Sequence, residues 1–103
     1  PERWGEWASR RIQAIARQAS CALSGEAVVL HLDSGLYFGL DEIGAHVWHC
    51  LTQGDGPRTG SQLRDAVLEA FDVDSPTCEQ DLAELLDALR QVGLIEVPGE
   101  GTG

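Results

Sequence analysis

The side chains best suited to chemistry in this sequence are two imidazoles and a thiol in the middle of the chain. His46, His49 and Cys50 follow one another at the i, i+3 and i+4 spacing that brings side chains together on one helix. Imidazole and thiolate are good zinc ligands, but a structural zinc site takes four ligands, and no second cluster supplies the remainder. We therefore predict no metal site, and we expect a buried Cys50 beside half-exposed histidines.

The same residues do not predict catalysis. A cysteine nucleophile needs a base, a group that orients the base and a pocket for the substrate, and the spacing here suggests no such set. The chain has only three cysteines, odd in number and widely spaced, which is typical of reduced thiols in a cytosolic protein. We expect a cytoplasmic protein that is not an enzyme and holds no cofactor.

Composition and charge narrow the classes of partner. The chain has 103 residues, of which 43% are apolar, enough for one domain with its own core. It carries seven Arg, no Lys and a net charge of −10, so it repels the phosphates of nucleic acids. No apolar run approaches the length of a membrane span, and residues 1–20 lack the continuous apolar stretch of a signal peptide. Neither nucleic acid nor a membrane is expected as a partner.

Residues 1–17 form a distinct N-terminal segment. Apolar side chains between residues 4 and 16, including Trp4 and Trp7, recur at the spacing of one helical face. This pattern predicts an amphipathic helix, although part of the stretch could instead begin a strand. Another face carries arginines at intervals of seven residues: Arg3, Arg10 and Arg17. Two interpretations stay open, because the tryptophans could bury against the chain's own domain or dock on a partner enzyme.

Short β-prone runs follow, separated by turn signals. Residues 19–23, 26–32 and 36–40 are rich in apolar side chains, many of them β-branched or aromatic. Ser24-Gly25 separates the first two runs, and Gly35 can take the left-handed position of a hairpin loop before the third. The pattern predicts a three-stranded antiparallel meander.

Three helices are predicted after the strands, each from a capping signal and an apolar stripe. Asp41 is a good N-cap for the first, and Thr59 with Gln62 forms a capping box for the second. Ser75 is expected to cap the third, with Pro76 at its first position. The third helix has the strongest stripe, which consists of leucines: Leu82, Leu85, Leu86 and Leu89.

The end of the chain and the order of elements complete the fold prediction. Gly93 is expected just beyond the third helix, residues 94–97 as a short extended segment, and residues 98–103 as a disordered tail. Strands followed by helices predict an α+β domain. Three helices beside a three-stranded antiparallel sheet are typical of a winged helix-turn-helix, here with an extra N-terminal helix.

Residues 26–51, EAVVLHLDSGLYFGLDEIGAHVWHCL, resemble the core signature of PqqD-like proteins. In that signature an apolar strand and a small-Gly turn precede an aromatic strand that ends in Leu-Asn or Leu-Asp, and the first helix then carries Gly and Trp. The residues that fall on it are Gly35, Tyr37, Phe38, Leu40, Asp41, Gly44 and Trp48. Residues 62–97 also match in their order of elements. The resemblance predicts a domain at residues 18–97, after the segment at 1–17.

The resemblance implies a non-catalytic recognition element for ribosomally synthesised and post-translationally modified peptides (RiPPs). Such a domain binds the leader of a precursor peptide as an added strand and presents it to a separate enzyme. Stand-alone members occur in lasso-peptide clusters beside a leader peptidase and a cyclase, and the founding member serves PQQ biosynthesis beside a radical SAM enzyme. This chain lacks the Leu-Pro-Glu-Gly-like strand ending of the quinone version, so it is more similar to lasso-type or generic members.

The same site follows from the run Leu36–Leu40. As the last strand of a meander it has one unpaired side, and it contains neither the charge nor the proline that normally protects an edge. A guest peptide would pair with this edge and lay side chains into a groove against the third helix. The predicted binding residues are Leu36, Tyr37, Phe38, Gly39 and Leu40 on the strand, Leu82, Ala83 and Leu86 in the groove, and Glu79, Asp87 and Arg90 at its rim.

Several alternatives to this site stay open. The edge could be covered by the N-terminal helix or by a second copy of the chain, and the rim acids could simply form a solvated face. If the acids do function, the leader carries a cation opposite them. A winged-helix DNA-binding regulator would need basic residues on its recognition helix, whereas the third helix has Arg90 alone among several carboxylates. A PQQ-biosynthesis peptide chaperone, a structural subunit and a small enzyme are the remaining alternatives.

Overall fold

The computed structural model describes residues 2–54 and 56–98, so the predicted tail lies outside the described residues except for Pro98. The described residues form four helices and six strands. Their bounds are α1 Glu2–Trp7, β1 Arg11–Ala14, β2 Gln18–Leu23, β3 Glu26–His31, β4 Tyr37–Leu40, α2 Glu42–Gln53, β5 Arg58–Thr59, α3 Gly60–Ala70, α4 Ser75–Gln91 and β6 Ile95–Glu96.

The predicted meander is confirmed. Strands β2, β3 and β4 form one antiparallel sheet in that order, with Leu23 opposite Glu26 and Val29 opposite Phe38. The β2–β3 turn has positive φ at both Ser24 (51°) and Gly25 (88°), as a two-residue turn of type I′ requires. Gly35 also has a positive φ of 76°. The turn residues therefore set the register that brings β4 to the end of the sheet.

The extra N-terminal helix is present, but a single helix over residues 4–16 is wrong, and the alternative that part of this stretch begins a strand is confirmed. Helix α1 ends at Trp7, and Arg11–Ala14 forms β1, the middle strand of a second small sheet with the order β5-β1-β6. Its partners lie far away in sequence, at Arg58–Thr59 and Ile95–Glu96. The apolar spacing fitted a helix, but pairing with these two segments overrides that local pattern and buries Ile12 completely.

The three later helices begin and end close to their predicted bounds. Asp41 caps α2 by accepting a hydrogen bond of 2.8 Å from the Gly44 amide. Thr59 and Gln62 form the predicted capping box of α3. Helix α4 is capped by Asp74 rather than by Ser75, because Asp74 accepts from both the amide and the hydroxyl of Thr77. Those two hydrogen bonds hold the pKa of Asp74 below its ordinary value.

One core joins both sheets and all four helices. It includes Trp4 and Trp7 from α1, so the interpretation that the tryptophans bury against the chain's own domain is confirmed. The predicted α+β class is confirmed too, while the winged helix-turn-helix label stays a prediction. Across residues 2–54 and 56–98, none of the helices has the length and apolar character that crossing a membrane demands.

Candidate functional site

Strand β4 is an unpaired edge of the meander, as predicted. It pairs with β3 on one side, and no other described strand pairs with its opposite side. The His31 amide donates to the Leu36 carbonyl at 2.9 Å, which fixes the alternation of hydrogen-bonding pairs along this ladder. The backbone groups of Phe38 therefore point towards β3, and those of Tyr37 and Gly39 point towards the open edge. Two residues thus offer backbone donors and acceptors to a guest strand.

The side chains of β4 divide between the two faces of the sheet. Leu40 is buried and Phe38 is half-buried, and both pack on the core side. Tyr37 is 73% exposed and Leu36 is 56% exposed. A side chain at Gly39 would meet no atom within 4 Å of its Cβ beyond the adjacent residues of the strand. A guest strand would therefore meet apolar side chains on the core side, and on the other face the exposed Tyr37 with open space at Gly39.

A groove of about 560 Å³ lies between β4 and α4. Phe38 and Leu40 line it from the sheet, and Leu82, Leu85 and Ala88 line it from α4. Apolar side chains from α2 and α3 and from the loop before α4 complete its apolar lining: Ile43, Val67 and Val73. The groove runs beside the open edge, so an added strand could place alternate side chains in it.

The structure changes which residues of α4 belong to this groove. Leu82 lines it as predicted, but Ala83 and Leu86 are only 1% and 0% exposed and lie in the core away from it. The groove face of α4 is instead formed with Leu85 and Ala88, which sequence reasoning did not select. The leucine stripe is wide enough to serve two neighbouring faces, so its sequence does not say which edge stays open.

The predicted rim residues Glu79, Asp87 and Arg90 face the N-terminal and α3 side of α4 and do not line the groove. Glu79 accepts a hydrogen bond of 3.0 Å from Arg64, an interaction that is the main cause of the raised pKa of Arg64. Asp87 accepts from the Trp7 indole at 2.9 Å and pairs with Arg3 at 3.3 Å.

The third predicted rim residue, Arg90, lies beside the same tryptophan. Its guanidinium carbon is 5.7 Å from the centre of the Trp7 ring. Asp87 and Arg90 therefore hold α1 against α4, whereas Glu79 joins α4 to α3 through Arg64. Helix α1 packs on this side of α4, and no described residue of α1 lines the groove beside β4. The alternative that the N-terminal helix covers the edge is therefore wrong.

Different carboxylates line the groove. Asp81 and Glu84 are exposed residues one helical turn apart on α4, and Asp41 contributes from the end of β4. No Arg or His is among the described residues that line the groove. The site therefore combines an apolar floor with an acidic margin.

An α+β domain with an unpaired strand edge beside an apolar groove belongs to the class of folds that can accept an added strand. The model of the family Coenzyme PQQ synthesis protein D (PqqD) matches residues 26–95, more than half of the chain. The chain belongs to the PqqD family, which confirms the resemblance inferred from residues 26–51.

Two solved structures share the fold. TbiB1, solved in complex with the TbiA(beta) leader peptide, has 36% sequence identity and a TM-score of 0.71, with 82% of this chain and 94% of that chain covered. The PqqD truncation of Methylobacterium extorquens PqqCD, described as a functional and stand-alone RiPP recognition element, has 22% identity and a TM-score of 0.66, with 86% and 92% covered. No curated protein matches the chain in sequence.

Proposed function

We propose that this protein binds the leader region of a ribosomally synthesised precursor peptide by strand addition at β4. The observation that carries the proposal is the unpaired edge of β4 next to an apolar groove. The chain is 36% identical to TbiB1, whose structure contains a leader peptide, and covers 94% of it, which supports the same role here.

In the proposed complex the backbone and the side chains of the guest strand have different roles. Its backbone exchanges hydrogen bonds with Tyr37 and Gly39, which fixes its register. Its alternate side chains enter the groove and contact Phe38, Leu82 and Leu85, which selects apolar residues at those positions.

The proposed role is recognition without catalysis. The bound precursor would be delivered to a separate enzyme, and we propose the lasso-type arrangement in which a leader peptidase and a cyclase act on it. A radical SAM enzyme is the corresponding partner if the chain serves another class of peptide. The acidic exposed face of α4, with Asp81 and Glu84, favours a peptide ligand over DNA. We place this activity in the cytoplasm.

A proline pair at the two edges of the sheet tests the proposal. Gly39→Pro removes an amide that points to the open edge, so it should keep the β3–β4 bonds and weaken binding at least about tenfold. Ala22→Pro is the matched control, because the Ala22 amide points to the open edge of β2 at the other end of the sheet. Both variants are titrated calorimetrically with the TbiA(beta) leader peptide and checked by circular dichroism.

The binding of the two proline variants and of the wild type tests strand addition and leader recognition separately. Loss of binding in Gly39→Pro with binding kept in Ala22→Pro supports strand addition at β4. Equal binding by the folded Gly39→Pro variant and the wild type would contradict it. If the wild type binds neither the TbiA(beta) leader nor any member of a random peptide library, leader recognition itself is wrong.

A further inference from the structure

We infer that the groove selects a leader that carries a basic residue, Arg or Lys, opposite Asp81 and Glu84. This inference rests on the proposed function and names the chemistry of its ligand. It concerns a different pair of carboxylates from the two that the sequence pattern suggested.

The acidic residues of α4 fall into two groups with different surroundings. Glu79 and Asp87 already have partners within the protein. Glu79 pairs with Arg64, and Asp87 pairs with Trp7 and Arg3. Asp81 and Glu84 lie on the groove side and form no hydrogen bond or ion pair with the described residues. The second group is therefore available to an external cation.

Charge complementarity identifies the occupant. The groove margin also includes Asp41, which is the N-cap of α2. No cationic side chain is among the described lining residues, and the whole chain has a net charge of −10. An acidic peptide would be repelled from this margin, whereas a basic side chain would reduce the local repulsion.

The geometry of an added strand predicts where the basic residue lies in the peptide. Side chains at alternate positions of a strand face the same way. The apolar floor at Leu82 and Leu85 and the acidic margin at Asp81 and Glu84 lie on the same helix, next to each other. The basic residue should therefore stand an even number of positions from an apolar anchor, with its long side chain crossing the floor to reach the margin.

Selection from a random linear peptide library tests the inference. The wild type is compared with the double variant Asp81→Asn/Glu84→Gln, which removes both charges and keeps the side-chain size. The matched control is Glu6→Gln/Glu69→Gln, which makes the same change in net charge at two exposed carboxylates outside the groove. Wild type and control should enrich peptides with apolar anchors and an Arg or Lys at a fixed even spacing. The double groove variant should enrich the anchors alone.

A titration measures the size of the effect. One enriched peptide and its Arg→Gln analogue are titrated against the wild type and the groove variant. We expect the wild type to prefer the basic peptide roughly two- to fivefold, the range of an exposed ion pair, and the preference to vanish at high salt or in the groove variant.

The results distinguish failure of this inference from failure of leader binding itself. Enriched apolar anchors without a basic position would overturn this inference and leave leader binding intact. The same basic preference in the groove variant would overturn it as well. If no peptide is enriched on the folded wild type, leader recognition fails and this inference falls with it.

Discussion

The meander has two terminal strands, and they differ in what surrounds their open ladders. Strand β4 is four residues long and places Phe38 and Leu40 against the core beside the groove of α4. Strand β2 is six residues long, and its core-side residues include Ser20 and Ala22, both small and exposed. Strand β2 is therefore longer than β4 but has smaller side chains on its core side.

The cavity next to β2 is also different in kind. It measures about 370 Å³ and lies against α2, whose contribution includes Glu42, His46 and His49. The ring of His46 packs edge-on against Phe71, with 5.5 Å between ring centres. An open ladder supplies hydrogen bonds at both ends of the sheet, and both cavities are lined by carboxylates and apolar side chains. The groove beside β4 is larger, at about 560 Å³, and its described lining contains no histidine. Affinity and specificity should therefore reside at β4.

The largest expected effect is a loss of stability in α4, and it tests whether Leu86 belongs to the core or to the groove beside β4. Leu86 is fully buried, so Leu86→Ala should lower the free energy of unfolding by about 3 kcal/mol through lost contacts and a cavity. Urea denaturation followed by circular dichroism measures the change. If Leu86→Ala keeps wild-type stability but no longer binds the leader, Leu86 lies in the groove, as the sequence pattern predicted.

Thiol reactivity compares the two edges directly. Cys21 on β2 is exposed, whereas Cys78 beside the β4 groove is 4% exposed and burial raises its pKa. Alkylation, read residue by residue by peptide-mapping mass spectrometry, should modify Cys21 more than about a hundredfold faster than Cys78. Adding the TbiA(beta) leader should leave the rate at Cys21 unchanged. Protection of Cys21 by the peptide would break the comparison, because it would place the guest at β2.

The smallest effect concerns the floor of the groove. Leu85 is half-buried at the groove, so Leu85→Ala should weaken leader binding roughly fivefold through lost apolar contact, with a smaller loss of stability than Leu86→Ala. His49→Ala, in the cavity next to β2, is the matched control and should bind like the wild type. Calorimetric titration measures both, and equal losses in the two variants would contradict the assignment of the groove.

Turns and caps were predictable because their causes lie within a few residues. Ser24-Gly25 determines a hairpin by its positive φ angles, and Asp41 and the Thr59–Gln62 pair cap their helices through neighbouring amides. The error at the cap of α4 is equally local. Asp74 and Ser75 are adjacent and both suitable, and the hydrogen bonds to Thr77 favour Asp74.

The N-terminal segment was not predictable in the same way. Its residues 11–14 pair with β5 and β6, and the second of these lies near the other end of the described chain. Apolar spacing alone fits both a helix and this strand, and the choice depends on partners that a local pattern does not contain. A signal was nonetheless present, because Ile12 and Ile15 are β-branched residues close to the predicted end of the helix.

The amino-acid order was enough to specify the meander, the helix caps and an apolar α4, since each depends on periodicity or on hydrogen bonds between near neighbours. It was not enough to say which carboxylates of α4 remain open to a ligand. That depended on packing, because α1 and Arg64 approach one side of the helix and engage Asp87 and Glu79. The opposite side, with Asp81 and Glu84, was left to the groove because no described part of the chain pairs with it.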